Sequence, residues 1–468
     1  MLTFSRIPQE RLPQALALYR SAGAAEVDLT ELERAAAAGV LYGAQEDDGL
    51  AACFVLSPEP EPAYARVDWL YGVRPAVWQR VAARTPAEKS EALLSAAALA
   101  RDLGFDTLRL DVPEADDDVR SACERAGARQ AGSLELEGGE RCLCYEMPLS
   151  PACPMLPVRM RPAYRYGDMT PWGGVGLRER FGRDIPDERT GEALEISAIP
   201  GLESVTPMGE TLTGLLKRDK ERILGRGQEP FALLLKLLSA RENLSVQVHP
   251  DDAYASAHEN KLGKTEAWVI LDAKPGASIL YGLRQGVSLA DLEAALKGGA
   301  DVEALIERVP VSAGEVYYMP SGMVHAIGGG IVLYEIQQSS DVTYRLWDYD
   351  RLNDRGEKRP LHIRQSLDVI RPQLRGQRAR MPRELDNRVT NLLDVPAFRL
   401  DCAAVNGELA LPEHPQGFRI LTALSGLLLR WPGDAMELAA GDSVLLPAAC
   451  PDVTLTGVGC ALLAMEAL

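Results

Sequence analysis

No stretch of this sequence approaches the roughly 20 consecutive apolar residues with which a helix spans a bilayer, so a helical membrane protein is not expected. The opening residues, MLTFSRIPQERLPQ, lack the basic start and apolar block of a secretory leader, and a cytoplasmic location is expected. The eight cysteines (Cys53, Cys123, Cys142, Cys144, Cys153, Cys402, Cys450 and Cys460) contain no C-x-x-C pair and no dense framework, a pattern that suits free buried thiols in a reducing compartment. Missing too is any stripe of Lys and Arg with interleaved aromatics. With a formal charge of -17 the summed field repels polyanions, which argues against nucleic acid as a partner. An anionic small molecule is still compatible, provided that a local group of cations overrides that field. Histidine is scarce as well, at five residues.

What is present is the composition of an ordinary soluble chain, 46% hydrophobic and 25% charged. At 468 residues it is long enough for two to four domains, each with its own core. Residues 1–150 read as an α/β unit: a helix at LPQALALYRSAG, strands at AACFVLS and ARVDWLYGV, a helix at AEKSEALLSAAALARDLG, a strand at TLRLDVP, a helix at DDDVRSACERAGA, and closing strands at LELEGG and RCLCYEMPL. The proline-rich SPACPMLPVRMRP reads as a linker. From there to about residue 375, short strands between Gly and Pro turns, with helical inserts at TLTGLLKRDKERILG and SLADLEAALKGGADVEALIERV, predict a β-barrel with helices at its edge. RGQRARMPRELDN reads as a second linker. Residues 388–468 are almost all short strands, a small all-β domain. GEVYYMPSGMVH and GDSVLLPAACPD share a Gly, five residues and a Pro, an echo of one barrel hairpin. The second copy lacks the histidine, so only the first is expected to hold a metal.

The stretch SVQVHP carries the chemistry forward. Residues two apart on a strand project to one side, so Gln247 and His249 would offer an amide oxygen and an imidazole nitrogen to one point. In GKTEAWVIL, Glu266 leads into an apolar strand with Lys264 two places before it, and a carboxylate entering a core needs a partner. GEVYYMPSGMVHAIGGG has the spacing G-x5-P-x-G-x2-H, with Gly314, Pro320, Gly322 and His325, in which glycines permit a tight hairpin that returns the histidine to a barrel mouth.

That spacing resembles the second metal motif of cupin barrels. SVQVHPDD, GKTEAW, PSGMVHA and TYRLWDYDR together resemble the class I mannose-6-phosphate isomerases, which are zinc-dependent cupins. The resemblance covers residues 157–375, from DMTPWGGVGLRERFG through EISAIP and FALLLKLLSARENLSVQVHP to RPLHIRQSLDVI. It implies one zinc ion per chain on Gln247, His249, Glu266 and His325, and a sugar-phosphate substrate. It also places Lys236, Ser245, Lys264, Glu335 and Arg345 in or around the substrate pocket. The implied reaction interconverts mannose 6-phosphate and fructose 6-phosphate through a cis-enediolate, whose charge a cation stabilises. Arg345 with one or both lysines is expected to hold the phosphate. The proton shuttle is left among Glu335, Lys264, Arg345 and a water on the metal. Bland roles are open for each: Lys236 snorkelling, Arg345 pairing with Asp348 or Asp350, Glu335 in a structural network. His258 and His362 are assigned to surface or packing, and His414 to the surface. In EALEISAIP this chain has Leu194 and Ile199 where the family usually has an aromatic residue and a histidine, a departure that bears on substrate fit.

The order strand, helix, strand, helix over residues 84–135 resembles the core of GNAT-type acetyltransferases. That family binds acetyl-CoA on a glycine-rich turn at a helix start. Here RTPAEKSEALLSA has no glycine, and the tyrosine usual in the next helix is replaced near Cys123. A degenerate domain used for docking or regulation is therefore expected. Two other functions compete with the isomerase: an iron oxygenase, to which the redox-inert Gln247 is poorly suited, and a silent sugar-phosphate sensor with the acetyltransferase-like module as output.

Overall fold

The computed structural model describes all residues except 1, 23–26, 47–48, 58–66, 136–138, 140, 226–229, 299–300, 354, 413–416 and 468. The chain divides into two compact units. One is Met1–Pro157 with Trp431–Asp434 and Ala449–Pro451, and the other is the remainder. His414 lies outside the described residues.

The first unit is a seven-stranded sheet of β1 (Phe4–Arg6), β2 (Leu41–Glu46), β3 (Gly49–Ser57), β4 (Pro75–Ala83), β5 (Thr107–Pro113), β6 (Arg129–Glu135) and β7 (Arg141–Pro148), in the order 1-2-3-4-5-7-6. Helices α1 (Leu12–Ser21), α2 (Leu29–Ala37), α3 (Pro86–Asp102) and α4 (Asp117–Arg125) accompany it. Among the described residues of this sheet only β4 and β5 pair in parallel, joined through α3. Alternate residues of β5 and β7 (Leu108, Leu110, Val112; Leu143, Tyr145, Met147) pack under the alanine-rich face of α3 and the buried residues of α4. The expected strand ARVDWLYGV does not form over its described part. Val67 and Trp69 do pack on the other sheet face, but the backbone N–H groups of Leu70 and Tyr71 donate to the Glu146 carboxylate (2.7 and 3.3 Å), not to a neighbouring strand. The ladder position is taken by the next segment, β4.

The second unit holds three further sheets. The first two are built from β9 (Ala163–Tyr166), β10 (Thr190–Ile196), β11 (Leu233–Ala240), β12 (Val246–Val248), β13 (Glu266–Ala273), β14 (Ser278–Leu283), β15 (Ile306–Pro310), β16 (Glu315–Met319), β17 (His325–Ile327), β18 (Ile331–Gln338), β19 (Tyr344–Trp347) and β20 (Arg378–Arg380). They run 20-16-13-18-11-10-9 and 15-14-17-12-19, antiparallel throughout. Trp268, Ile270 and Leu333 of the first meet Ile279, Tyr281 and Ile327 of the second in one core. Helices α5 (Gly176–Phe181), α6 (Leu212–Leu224), α7 (Asp252–Glu259), α8 (Leu289–Gly298) and α9 (Ile363–Val369) complete this part. Leu292 of α8 and Val369 of α9 pack with Val246 and Val248 of β12. The second helical insert is not helical throughout its described part: α8 covers Leu289–Gly298, and IERV forms β15.

The remaining sheet joins β8 (Val158–Met160) to β21 (Arg388–Val395), β22 (Phe398–Ala410), β23 (Arg419–Ala423), β26 (Ser443–Leu446) and β27 (Thr454–Glu466), with β24 (Leu427–Trp431) and β25 (Asp434–Leu438) as a side hairpin. Both stretches expected as linkers contain an edge strand, β8 pairing with β26 and β20 with β16. The eight cysteines form no disulfide. Among the described residues no helix is long and apolar enough to cross a membrane.

Candidate active site

Because Val246 and Val248 point into the core beneath α8 and α9, Gln247 must project to the other side of β12. It stands in register with His325 of β17 on one flank and with Arg345 of β19 on the other. His249 follows one residue beyond the strand, and Glu266 opens β13 in the facing sheet. His249 Nε2 lies 3.3 Å from Glu266 Oε2, and His325 Nε2 lies 3.1 Å from Oε1. Gln247 Nε2 is 3.4 Å from His325 Nε2, and a half-turn of the amide brings its oxygen to the same place. His249, Glu266 and His325 are all buried.

The hydrogen bonds behind the rings settle which nitrogen faces inward. His249 Nδ1–H donates to the Val342 carbonyl (3.0 Å) and His325 Nδ1–H to that of Met323 (2.8 Å), so each ring turns Nε2 inward, the nitrogen that carries the lone pair in this tautomer of the neutral imidazole. Two imidazole lone pairs therefore converge on two carboxylate oxygens. The Lys264 ammonium is 2.9 Å from Glu266 Oε2, yet outside hydrogen-bond geometry, and neither Glu266 oxygen nor His249 Nε2 has a hydrogen bond. Buried acceptors facing one another without donors are strongly unfavourable. A divalent cation removes the conflict, and two imidazoles, an amide oxygen and a carboxylate are a donor set that suits it. Among the described residues this is the one group of three His, Cys, Asp or Glu with such geometry. Burial, then the Lys264 charge, pushes the His249 imidazole down to about 3. Burial pushes the Glu266 carboxyl up, but Lys264 with His249 and His325 outweighs it and holds the carboxyl well below its usual range. Both groups are thus in their ligating forms near neutrality.

Beside this cage is a cavity of about 240 Å³ lined by all five expected pocket residues, Lys236, Ser245, Lys264, Glu335 and Arg345. Lys236 does not snorkel: it is buried, with Nζ 2.9 Å from Glu335 Oε1. Glu335 Oε2 accepts from Trp268 Nε1 at 3.0 Å. Arg345 is not paired with either aspartate. Asp348 is held in two hydrogen bonds by Arg359 (2.7 and 2.6 Å), and Asp350 by Lys358. Arg345 donates through Nη1 to the Pro360 carbonyl, its buried Nε has no hydrogen bond, and burial and the Arg359 charge push its pKa down.

Four charged lining residues escaped the reading of the sequence: Arg165, Glu192, Asp341 and Arg359. The signal for Arg359 was the RPLHIRQ motif itself. Arg165 and Glu192 become visible only through strand register. His362 accepts the Arg345 backbone N–H at Nδ1 (3.2 Å) and so fixes the arginine's strand, while His258 stacks on Tyr254 with ring centroids 4.1 Å apart. Leu194 and Ile199 pack together on Leu234 and do not line the cavity.

Residues 164–269 match the model of the phosphomannose isomerase type I catalytic domain. The mannose-6-phosphate isomerase ManA of Bacillus subtilis is 36% identical over 294 residues, 61% of this chain and 92% of the relative. The chain belongs to the type I phosphomannose isomerase family. A mannose-6-phosphate isomerase of Streptococcus mutans is 48% identical over 203 residues, which span 42% of this chain and 64% of that relative. The crystal structure of the B. subtilis mannose 6-phosphate isomerase superposes with a TM-score of 0.60 at 35% identity, covering 66% of this chain and 99% of that one.

Proposed function

We propose that the second unit binds one zinc ion on Gln247, His249, Glu266 and His325 and interconverts mannose 6-phosphate and fructose 6-phosphate through a cis-enediolate. The observation that carries the reading is the meeting of His249 Nε2, His325 Nε2 and both Glu266 oxygens at one buried point, three of the four without a hydrogen bond. When bound, the cation supplies positive charge beside the C1 and C2 oxygens, where negative charge develops.

The residues around it divide the remaining work. Arg345, Arg351 and Arg359 surround a single carboxylate, Asp348, and that excess of positive charge suits the phosphate dianion. Of the four candidates for moving the proton between C1 and C2, three are side chains: a guanidinium does not give up its proton near neutrality, and the Lys264 ammonium is ion-paired with Glu266 at 2.9 Å. Glu335 has lone pairs to spare on both oxygens and is the proton acceptor in this reading. Lys236 and Trp268 fix its orientation. Loss and return of turnover tests the whole: the metal-loaded protein converts one sugar phosphate into the other, EDTA stops it, and zinc restores it. Binding without conversion would favour a sensor.

For the first unit we infer an acetyltransferase-like fold without a working cofactor site. Its support is the strand order with one parallel junction, β4–β5. At the start of α3, Thr85 Oγ1 accepts from the Glu88 backbone N–H (3.2 Å) and donates to the Glu88 carboxylate (3.0 Å), which also takes Arg84. The helix end that would face a pyrophosphate is already capped by Thr85 and occupied by the Glu88 carboxylate. Calorimetric titration of the full chain with acetyl-CoA is expected to show no binding at micromolar concentration; clear binding would overturn the inference.

A further inference from the structure

One wall of the cavity carries a continuous row of charge. Arg165, Glu192, Lys236, Glu335 and Trp268 stand on β9, β10, β11, β18 and β13, five consecutive strands of one sheet. Arg165 Nη1 lies 3.1 Å from Glu192 Oε2, Glu192 Oε1 lies 3.7 Å from Lys236 Nζ, and the chain continues through Glu335 to the Trp268 indole. Donors and acceptors alternate along it. Glu192 is 8% exposed and touches both cations, and both cations line the cavity.

Two cations and two carboxylates leave this row neutral, whereas beside Arg345, which pairs with no aspartate, Arg351 and Arg359 share the single carboxylate of Asp348. A sugar phosphate has one dianionic end and one neutral polyol end. The excess of positive charge matches the first and the neutral row the second, since a guanidinium whose charge is balanced still offers a fixed fork of N–H donors to neighbouring hydroxyls. Among the described residues the Arg165 side chain has one hydrogen bond, to Glu192, which leaves further N–H groups for a ligand. We propose that Arg165 is a substrate-binding residue for the sugar hydroxyls, and that Glu192 is a positioning residue that holds Arg165 and Lys236 to that wall. The assignment rests on the sugar-phosphate reading of the same cavity.

The probe is the hexitol 6-phosphate made by reducing the substrate's carbonyl, which binds but cannot be isomerised. Its affinity is measured by calorimetry on the metal-loaded protein, beside that of inorganic phosphate. Arg165→Gln and Glu192→Gln are each expected to weaken the hexitol phosphate about tenfold or more, the scale of a lost charge-assisted hydrogen bond. Inorganic phosphate affinity and metal content should stay within about twofold by the same reasoning, because the phosphate sits with Arg345. In turnover, Arg165→Gln should raise KM more than it lowers kcat, and Glu192→Asp should recover part of what Glu192→Gln loses. Arg165 is partly exposed, so its replacement leaves the core intact. Unchanged hexitol phosphate affinity in both variants would overturn the proposal, as would an equal loss for both probes. If the wild type binds the hexitol phosphate yet converts neither sugar, the isomerase reading falls while this comparison still judges the two residues.

Discussion

At the scale of single residues, the site is built by removing choices. Each histidine loses one ring nitrogen to a backbone carbonyl, each Glu335 oxygen receives one donor, and Asp348 and Asp350 are occupied by Arg359 and Lys358. Atoms left without a hydrogen bond include His249 Nε2, both Glu266 oxygens and the Arg345 Nε. A direct consequence concerns Glu335. Glu335→Gln keeps its size and an acceptor oxygen but cannot take up a proton, so kcat should fall by about 10²- to 10⁴-fold. Metal content should not change. A variant that keeps wild-type kcat would move the proton transfer elsewhere. The four cage residues were legible because short motifs name them: Q-x-H, a Glu opening an apolar strand, and a His at the end of a glycine hairpin. Arg165 and Glu192 were not, because their nearness to Lys236 depends on the register of strands up to 71 positions apart.

At the scale of elements, periodicity revealed faces better than partners. Val67, Trp69 and Tyr71 alternate as a strand would and are buried, yet a side-chain carboxylate, Glu146, takes the backbone N–H groups that a ladder would have used. Prolines around VRM and charge around RARM hid two short edge strands. In the second insert the apolar residues of IERV are too few to distinguish strand from helix. Glu146 itself gives a pH signature. Burial, only partly offset by Arg109, raises its carboxyl from the ordinary 4.5 to about 8. The native state therefore keeps a proton that the unfolded chain releases, so this contribution to stability is whole below pH 4.5 and is lost as the pH rises towards 8. Hydrogen exchange at β5 and β7 should quicken across that interval more than elsewhere in the first unit, and Glu146→Gln should flatten the trend. Protection at β5 and β7 that stays constant in the wild type, once the intrinsic rise of exchange with pH is divided out, would contradict the assignment.

At the scale of the whole molecule, the net charge of -17 and the cation-lined cavity are complementary facts. The acidic surface repels a phosphate that only the local cluster can hold, so KM for the sugar phosphate should change with ionic strength, which screens the two fields unequally. Within the second unit, the sheets of the candidate site and the carboxy-terminal sheet are joined by a buried pair. Arg183 binds Glu195 in two contacts, one of them 2.9 Å, and also reaches the Gly441 carbonyl. Arg183→Met would leave the fully buried Glu195 unpaired and should cost about 3–5 kcal/mol in a denaturation experiment. Arg183→Met with Glu195→Leu should recover much of that loss.

The most direct measurement is metal content by elemental analysis, read together with isomerase turnover, for the wild type and His325→Ala. The account predicts one divalent ion per wild-type chain, and joint loss of ion and turnover when His325 is replaced. A His325→Ala protein that keeps its ion and its rate would contradict it.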